Sequence, residues 1–286
     1  MEQYHPINNL IYFCFVIGCS MIFLHPVCLL ISIICAASYT VILFGWARAG
    51  KGFAGVFALM LLTALINPTF SHQGVTELMM LPSGNMLTLE SIYFGVGAAF
   101  MLGATLLWFR AVSEILTADK IIYLFGRTFP VIGLLLSMIL GFVPKIRRKY
   151  SEIKLCRKNE PGVAWRNYIK NLSILITWIL EDSVEMGKSM RGRGYGLPGR
   201  TWYTIFRFTK RDAVMLLFMI VAGGYVIIGS VRGALSWYYY PITMGAKVTI
   251  YSMSVYIVYA LICIQPTVCE LSRRLLIPSP AFGEND

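Results

Sequence analysis

One interval, residues 144–211, holds the whole net charge of this chain, and long apolar runs fill most of the remainder. The interval carries 16 of the 25 Lys/Arg and five of the 14 Asp/Glu, a net +11 that equals the formal charge of the entire protein. The other 218 residues carry nine of each sign and sum to zero. Ordinary soluble domains are roughly one quarter charged, with the charges spread over the surface. Here 14% of residues are charged, 57% are hydrophobic, and mean hydropathy is +0.67. The partition predicts an all-α polytopic membrane protein with about five to six membrane-embedded helices and two long cytoplasmic helices.

A pI near 9.4 is compatible with nucleic-acid binding. The basic residues, however, abut apolar spans, as the positive-inside rule produces by itself, so no nucleic-acid partner is expected. Six of the seven cysteines (Cys14, Cys19, Cys28, Cys35, Cys263 and Cys269) lie in or beside apolar runs, and Cys156 lies in the basic interval. They form no CxxC pair or Cys/His cluster. Neither a metal site nor a cofactor is expected. The three histidines, His5, His25 and His72, read as turn or loop residues. Met1–His5 has no Lys or Arg, so residues 10–24 read as a retained first span rather than a cleaved leader.

Taken in order, residues 1–143 read as the N-terminal membrane helices. Apolar runs cover 9–24, 27–47 and 53–66, with His25-Pro26 as a turn and Arg48 and Lys51 closing the second run. Residues 67–90 contain Pro68, Gly74, Pro82 and Gly84 and no Lys or Arg, which predicts an external loop. Thr88–Glu90 offers an N-cap for the span that follows. In that span Gly95, Ala99 and Gly103 recur every four residues, a face that lets membrane helices approach closely. Residues 111–125 carry Glu114, Asp119 and Lys120 and predict an interfacial helix. The run 129–143 has no return partner in a simple topology, and reads as a tilted segment that continues as helix into the basic interval.

Residues 144–211 predict two cytoplasmic helices, 144–158 and 165–193, separated by the Asn159–Gly162 turn. On the second, Leu172, Ile176, Ile179, Met186 and Met190 lie mainly to one side. Each helix has an Arg near its C-terminus, Arg157 within Cys156-Arg157-Lys158 and Arg193 within Gly192-Arg193-Gly194. A cation there is favoured by the helix dipole, and a guanidinium is also suited to bidentate recognition of a partner's carboxylate. Residues 212–266 predict a transmembrane hairpin with Trp237–Pro241 as an interfacial aromatic belt. Residues 267–286 read as a cytoplasmic tail. The basic segments assign the same side to Arg48/Lys51, the interval and Arg273/Arg274.

Residues 181–201, EDSVEMGKSMRGRGYGLPGRT, resemble the second coupling motif of the transmembrane T components of energy-coupling factor (ECF) ABC transporters, with Gly192-Arg193-Gly194-Tyr195 at its centre and Arg200-Thr201 after it. Residues 142–157, FVPKIRRKYSEIKLCR, are similar to the first motif, with Cys156-Arg157-Lys158 departing from the usual Ala-Arg-Gly. Residues 67–74, 88–90 and 117–127 are also similar to family sequence, so the resemblance covers most of the chain. It implies a non-catalytic coupling subunit of a vitamin or metal-ion importer in a bacterial inner membrane. Its partners would be two cytosolic ABC ATPases, docked at residues 156–158 and 192–194, a small substrate-binding S component in the membrane, and anionic lipids. The small-residue face Gly95/Ala99/Gly103 would serve helix or S-component packing.

The chain has no GxxxxGK[ST] loop, so it is not expected to hydrolyse ATP itself. Gly192–Gly196 is Gly-rich but ends a helix, whereas phosphate binding uses a helix N-terminus. A different class of function, a membrane enzyme acting on phospholipid-like substrates at the cytoplasmic interface, would require clustered Asp or His, and the sequence offers none in register.

Overall fold

The computed structural model describes residues 4–70, 74–80, 86–158, 164–195, 206, 208–245 and 249–276. Most of them are helical: α1 Pro6–Ile22, α2 Pro26–Phe70, α3 Leu89–Ile115, α4 Ala118–Thr128, α5 Pro130–Cys156, α6 Ala164–Gly192, α7 Lys210–Val231 and α8 Ile250–Leu276. Two short antiparallel hairpins, β1 Glu77–Met80 with β2 Met86–Thr88 and β3 Trp237–Tyr238 with β4 Met244–Gly245, complete the described elements. Four helices, α2, α3, α7 and α8, are long and apolar enough to cross a membrane, and α1 is a shorter apolar helix. The chain forms two compact units, residues 1–117 with 208–286, and residues 118–207.

In the first unit α2 is not one rod. Gly45 adopts φ +75°, ψ 162° inside it, a conformation open to glycine and costly for other residues. Residues 29 and 67 would stand about 57 Å apart on an uninterrupted helix rising 1.5 Å per residue. Yet Leu29 lines a cavity of about 390 Å³ with Val96 and Gly97 of α3, and Asn67 Cβ lies 3.2 Å from where a Cβ on Gly95 would be. Both ends of α2 therefore meet the same end of α3, and α2 folds back on itself at Gly45. Its two arms, residues 26–44 and 46–70, correspond to the second and third apolar runs of the sequence.

With that reversal the bundle has two ends. At one, the Tyr4 hydroxyl meets Cys269 Sγ at 3.7 Å, the His5 amide donates to Asp212 Oδ1 at 2.9 Å, and Arg110 of α3 donates to Arg48 O at 2.8 Å. This end gathers Arg48, Arg110, Arg211 and Arg274 beside the start of α1 and α7, the reversal of α2 and the end of α8. At the other end lie the two β-hairpins and Glu90, whose buried carboxylate accepts from the Thr76 amide and hydroxyl. Six apolar passages run between the two ends: α1, the arms of α2, α3, α7 and α8.

Aromatic packing holds these passages together. Trp108 is fully buried, donates from Nε1 to Ser32 Oγ at 3.0 Å, and sits 6.3, 6.3 and 6.2 Å from the rings of Tyr12, Phe13 and Tyr39. It thereby joins α1, α2 and α3. Tyr12 reaches α8 through its hydroxyl, which donates to Ile262 O at 3.1 Å. Where helices approach most closely, glycine makes room. A Cβ on Gly229 would lie 2.7 Å from Val255 Cγ2, and one on Gly103 would lie 2.4 Å from Met60 Sδ.

Several boundaries differ from the sequence reading. The interfacial helix expected over 111–125 divides. Residues up to Ile115 complete α3, Leu116 leaves the helical region, and α4 starts at Ala118 behind Thr117, a favoured N-cap type. Pro144 lies inside α5, and the Pro at that helix's first position is Pro130. α8 continues through residues assigned to the tail, to Leu276. The loop expected over 67–90 contains the end of α2 and the β1–β2 hairpin. His25-Pro26 is a helix start rather than a plain turn: the Val27 amide donates to His25 Nδ1 at 3.3 Å. His5-Pro6 repeats the device, with the Ile7 amide donating to His5 Nδ1 at 3.4 Å.

Candidate docking hairpin

The second unit is built from α4, α5 and α6. α4 and α5 are joined through Phe129 and touch backbone to backbone, where a Cβ on Gly133 would lie 2.3 Å from Gly126 Cα. α5 unites residues 130–143 with the start of the basic interval in one 27-residue helix. α6 runs 29 residues. Together they form an antiparallel pair. Arg157 Nη1 donates to Asn171 Oδ1 at 2.9 Å, Ile153 and Leu175 are buried near that point, and Lys149 Nζ stands 5.8 Å over the Trp178 ring. Farther from that end the pair opens into a groove of about 630 Å³, with Met138, Phe142, Met186 and Met190 on its apolar walls and Lys145, Asp182, Glu185 and Arg193 among its polar residues.

The outer surface of the pair is amphipathic. On α6, Trp165, Ile169, Leu172, Ile176 and Leu180 are all exposed and follow helical spacing; on α5, Ile132, Leu135, Ile139 and Val143 do the same. At about 100° per residue the α6 stripe centres about 100° round its helix from Leu175 and the α5 stripe about 85° round from Lys149, in the same sense. In an antiparallel pair, equal rotations of the same sense open on the same side. One side of the hairpin is therefore apolar along much of its length. The opposite side carries Arg148, Glu152, Lys170, Glu181 and Lys188, all exposed. Over 130–158 and 164–195 the two helices hold twelve Lys/Arg and four Asp/Glu. The Lys149–Glu152 ion pair on α5, at 3.1 Å, is solvent-exposed and adds little stability.

Each residue singled out in the sequence has a definite place. Arg193 is exposed at the C-terminus of α6. Its helix closes with a Schellman turn, in which the Tyr195 amide donates to Met190 O at 3.1 Å and the Gly194 amide to Arg191 O at 3.1 Å. Gly194 takes φ +77° to allow it. The same turn ends α7 at Arg232-Gly233, with Gly233 at φ +79° and the Ala234 amide donating to Gly229 O at 3.0 Å. Capping thus accounts for the glycine at 194 and leaves the arginine at 193 without a structural requirement. Gly192 is exposed and has open space around its Cα. At the end of α5, Cys156 and Lys158 are exposed, whereas Arg157 is half-buried and held by Asn171. The two helix-ending arginines thus differ in exposure, since the α5–α6 packing draws Arg157 inward. Residues 159–163 and Arg200-Thr201 lie outside the described residues.

Gly95, Ala99 and Gly103 are buried within the chain itself. A Cβ on Gly95 would meet Pro68 Cδ at 3.1 Å and Ala64 O at 3.2 Å, so the second arm of α2 occupies this face. Sequence reasoning missed the groove and the two-sided character of the hairpin. The apolar spacing on α6 was visible, but one helix read alone does not separate residues facing α5 from those facing outward. Among the described residues no group of three or more His, Cys, Asp and Glu comes together as a metal site. No protein-family model matches the chain, and no curated protein matches it.

Proposed function

We propose that the protein is the transmembrane coupling (T) subunit of an ECF-type ABC importer, in which α5 and α6 dock on two cytosolic ATPases and transmit their closure to a substrate-binding S component in the membrane. The observation that supports this most is the hairpin itself. It is long and basic, its described hydrophobic interior is confined to Ile153 and Leu175, and large apolar side chains on both helices are exposed. A helical pair so thin has little to stabilise it alone, whereas a partner on each side would bury it.

In this reading the arginine-bearing end of the bundle faces the cytoplasm, as the positive-inside rule requires. The charged side of the hairpin and its groove face the ATPases, with Arg193 as one prong. The other prong is Arg157, which the bond to Asn171 holds at the close of α5. Lys158 flanks it. The apolar side rests against the inner leaflet and the S component. Exposed apolar residues of α2's second arm, Phe57, Leu61 and Leu65, offer the S component a surface within the membrane. ATP is hydrolysed by the partner chains, and the S component selects the vitamin or metal ion.

Affinity purification of the tagged chain in mild detergent, followed by mass spectrometry of its partners, tests the proposal. Two ABC-type ATPases and one small membrane protein at stoichiometric amounts are expected. A chain that purifies alone from cells expressing such ATPases overturns it.

A further inference from the structure

The reversal of α2 is contacted from outside by two other helices. Gly45 breaks the helical ladder, so carbonyls at the end of the first arm lose their usual partners. Arg274 of α8 donates to one of these, Ile42 O. Arg110 of α3 grips the other side of the break. Its Nη2 donates to Arg48 O at 2.8 Å, its Nη1 reaches Ala49 O at 3.5 Å, and its Cζ lies 4.6 Å from the centroid of the Phe44 ring. One guanidinium thus touches residues on both sides of Gly45. Its seat is made by Gly52, where a Cβ would fall 1.2 Å from Arg110 Nη1. No side chain larger than hydrogen fits there while Arg110 keeps this position.

Three features make Arg110 more than a surface cation. It joins the only non-helical residue of α2 to the helix that packs on both arms. It stacks on an aromatic ring while hydrogen-bonding to backbone, which fixes its plane as well as its charge. It also stands five residues before the end of α3 at Ile115, the point at which the chain leaves the bundle. A lysine would supply charge but no planar fork to bridge ring and carbonyls.

We infer that Arg110 is the pin of an articulated helical hairpin: it fixes the spread between the two arms of α2, and it is the element through which movement of the end of α3 reaches them. Arg110 acts as a positioning residue through the backbone of residues 48 and 49. This role is independent of what docks on α5 and α6.

The test is a distance measurement on the full chain in phosphatidylcholine nanodiscs, with the exposed Cys14 and Cys156 changed to Ser. Nitroxide labels go on Ile34→Cys in the first arm and Leu62→Cys in the second, both exposed positions. Electron–electron resonance should give one narrow distance distribution. Arg110→Met should broaden it on the order of twofold, as expected when a hinge loses its stop. Gly52→Ala, which displaces the guanidinium without removing it, should do the same and carries the test if Arg110→Met fails to fold. Arg110→Lys should fall between wild type and Arg110→Met, and Arg274→Gln should leave the distribution narrow. The inference is overturned if Gly52→Ala and any folded Arg110→Met keep the wild-type distribution. It is equally overturned if Arg110→Lys is as broad as Arg110→Met, or if Arg274→Gln broadens as much as either.

Discussion

The bundle and the hairpin use their apolar side chains in opposite ways. In the bundle, α1, α2, α3, α7 and α8 turn aromatic and β-branched side chains onto one another around Trp108, and glycines mark their closest approaches. In the hairpin, the large apolar side chains of α5 and α6 point mostly outward, and the described hydrophobic interior is Ile153 and Leu175. The lesson is that where an apolar side chain sits on its helix decides whether it builds a core or presents a surface. Glycine makes the same distinction: Gly103 and Gly229 are seats for neighbouring side chains, whereas Gly187 and Gly192 on α6 have open space.

The largest expected effect is at the centre of the bundle. Trp108→Ala removes a fully buried indole and its bond to Ser32, and should cost about 3–5 kcal/mol, read as thermal unfolding in detergent. Leu175→Ala in the hairpin should cost less and leave the bundle's unfolding midpoint in place. Equal losses from the two changes would erase the contrast. Next, Gly103→Leu must displace Met60 and should destabilise by about 1–3 kcal/mol. Gly187→Ala meets nothing and replaces a poor helix former, so it should stabilise α6 by about 0.5–1 kcal/mol. A destabilised Gly187→Ala would place that face of α6 against something within the chain.

The smallest effect concerns His25, whose pKa is pushed below its ordinary value by burial between the Trp237 and Tyr256 rings, each 5.1 Å away. Because Nδ1 accepts from the Val27 amide, the ring proton belongs on Nε2, which donates to the Tyr256 hydroxyl at 3.0 Å. The folded state therefore holds the neutral ring. The unfolded chain binds a proton more readily, so this stability is fully present above the unfolded pKa of about 6.5 and declines as pH falls toward the depressed folded value. The unfolding temperature should drop between pH 7.5 and 5.5 and should do so less in His25→Gln. An equal drop in both would remove His25 from the account.

Much of the fold was legible in the sequence because apolar length and charge placement are one-dimensional signals. The runs 27–47 and 53–66 mark the arms of α2, Thr88 caps α3, and the periodic Gly95/Ala99/Gly103 face does pack a helix. Other features needed three dimensions. Nothing local tells Gly45 from the other glycines of that stretch, since its role depends on Arg110 and Arg274 arriving from α3 and α8. The His-Pro pairs looked like turns because histidine is an uncommon cap, and only the Nδ1 geometry discloses the function. Arg157 and Arg193 looked equivalent as helix-ending cations, yet packing with Asn171 holds one and leaves the other exposed. The hairpin's apolar side required knowing that α5 and α6 run antiparallel.

The direct test of the central claim is the affinity of the purified chain for the ABC ATPase pair that the proposed function assigns to it, measured with Arg157→Glu and Arg193→Glu together. Both positions lie outside the bundle's core, so the double variant should keep the bundle's unfolding midpoint, while Arg157→Glu also gives up the bond to Asn171 within the hairpin. The account predicts that the wild type holds both ATPases through size-exclusion chromatography and the double variant releases them. A double variant that folds normally and retains both ATPases would contradict the assignment of the hairpin's arginines as the docking prongs.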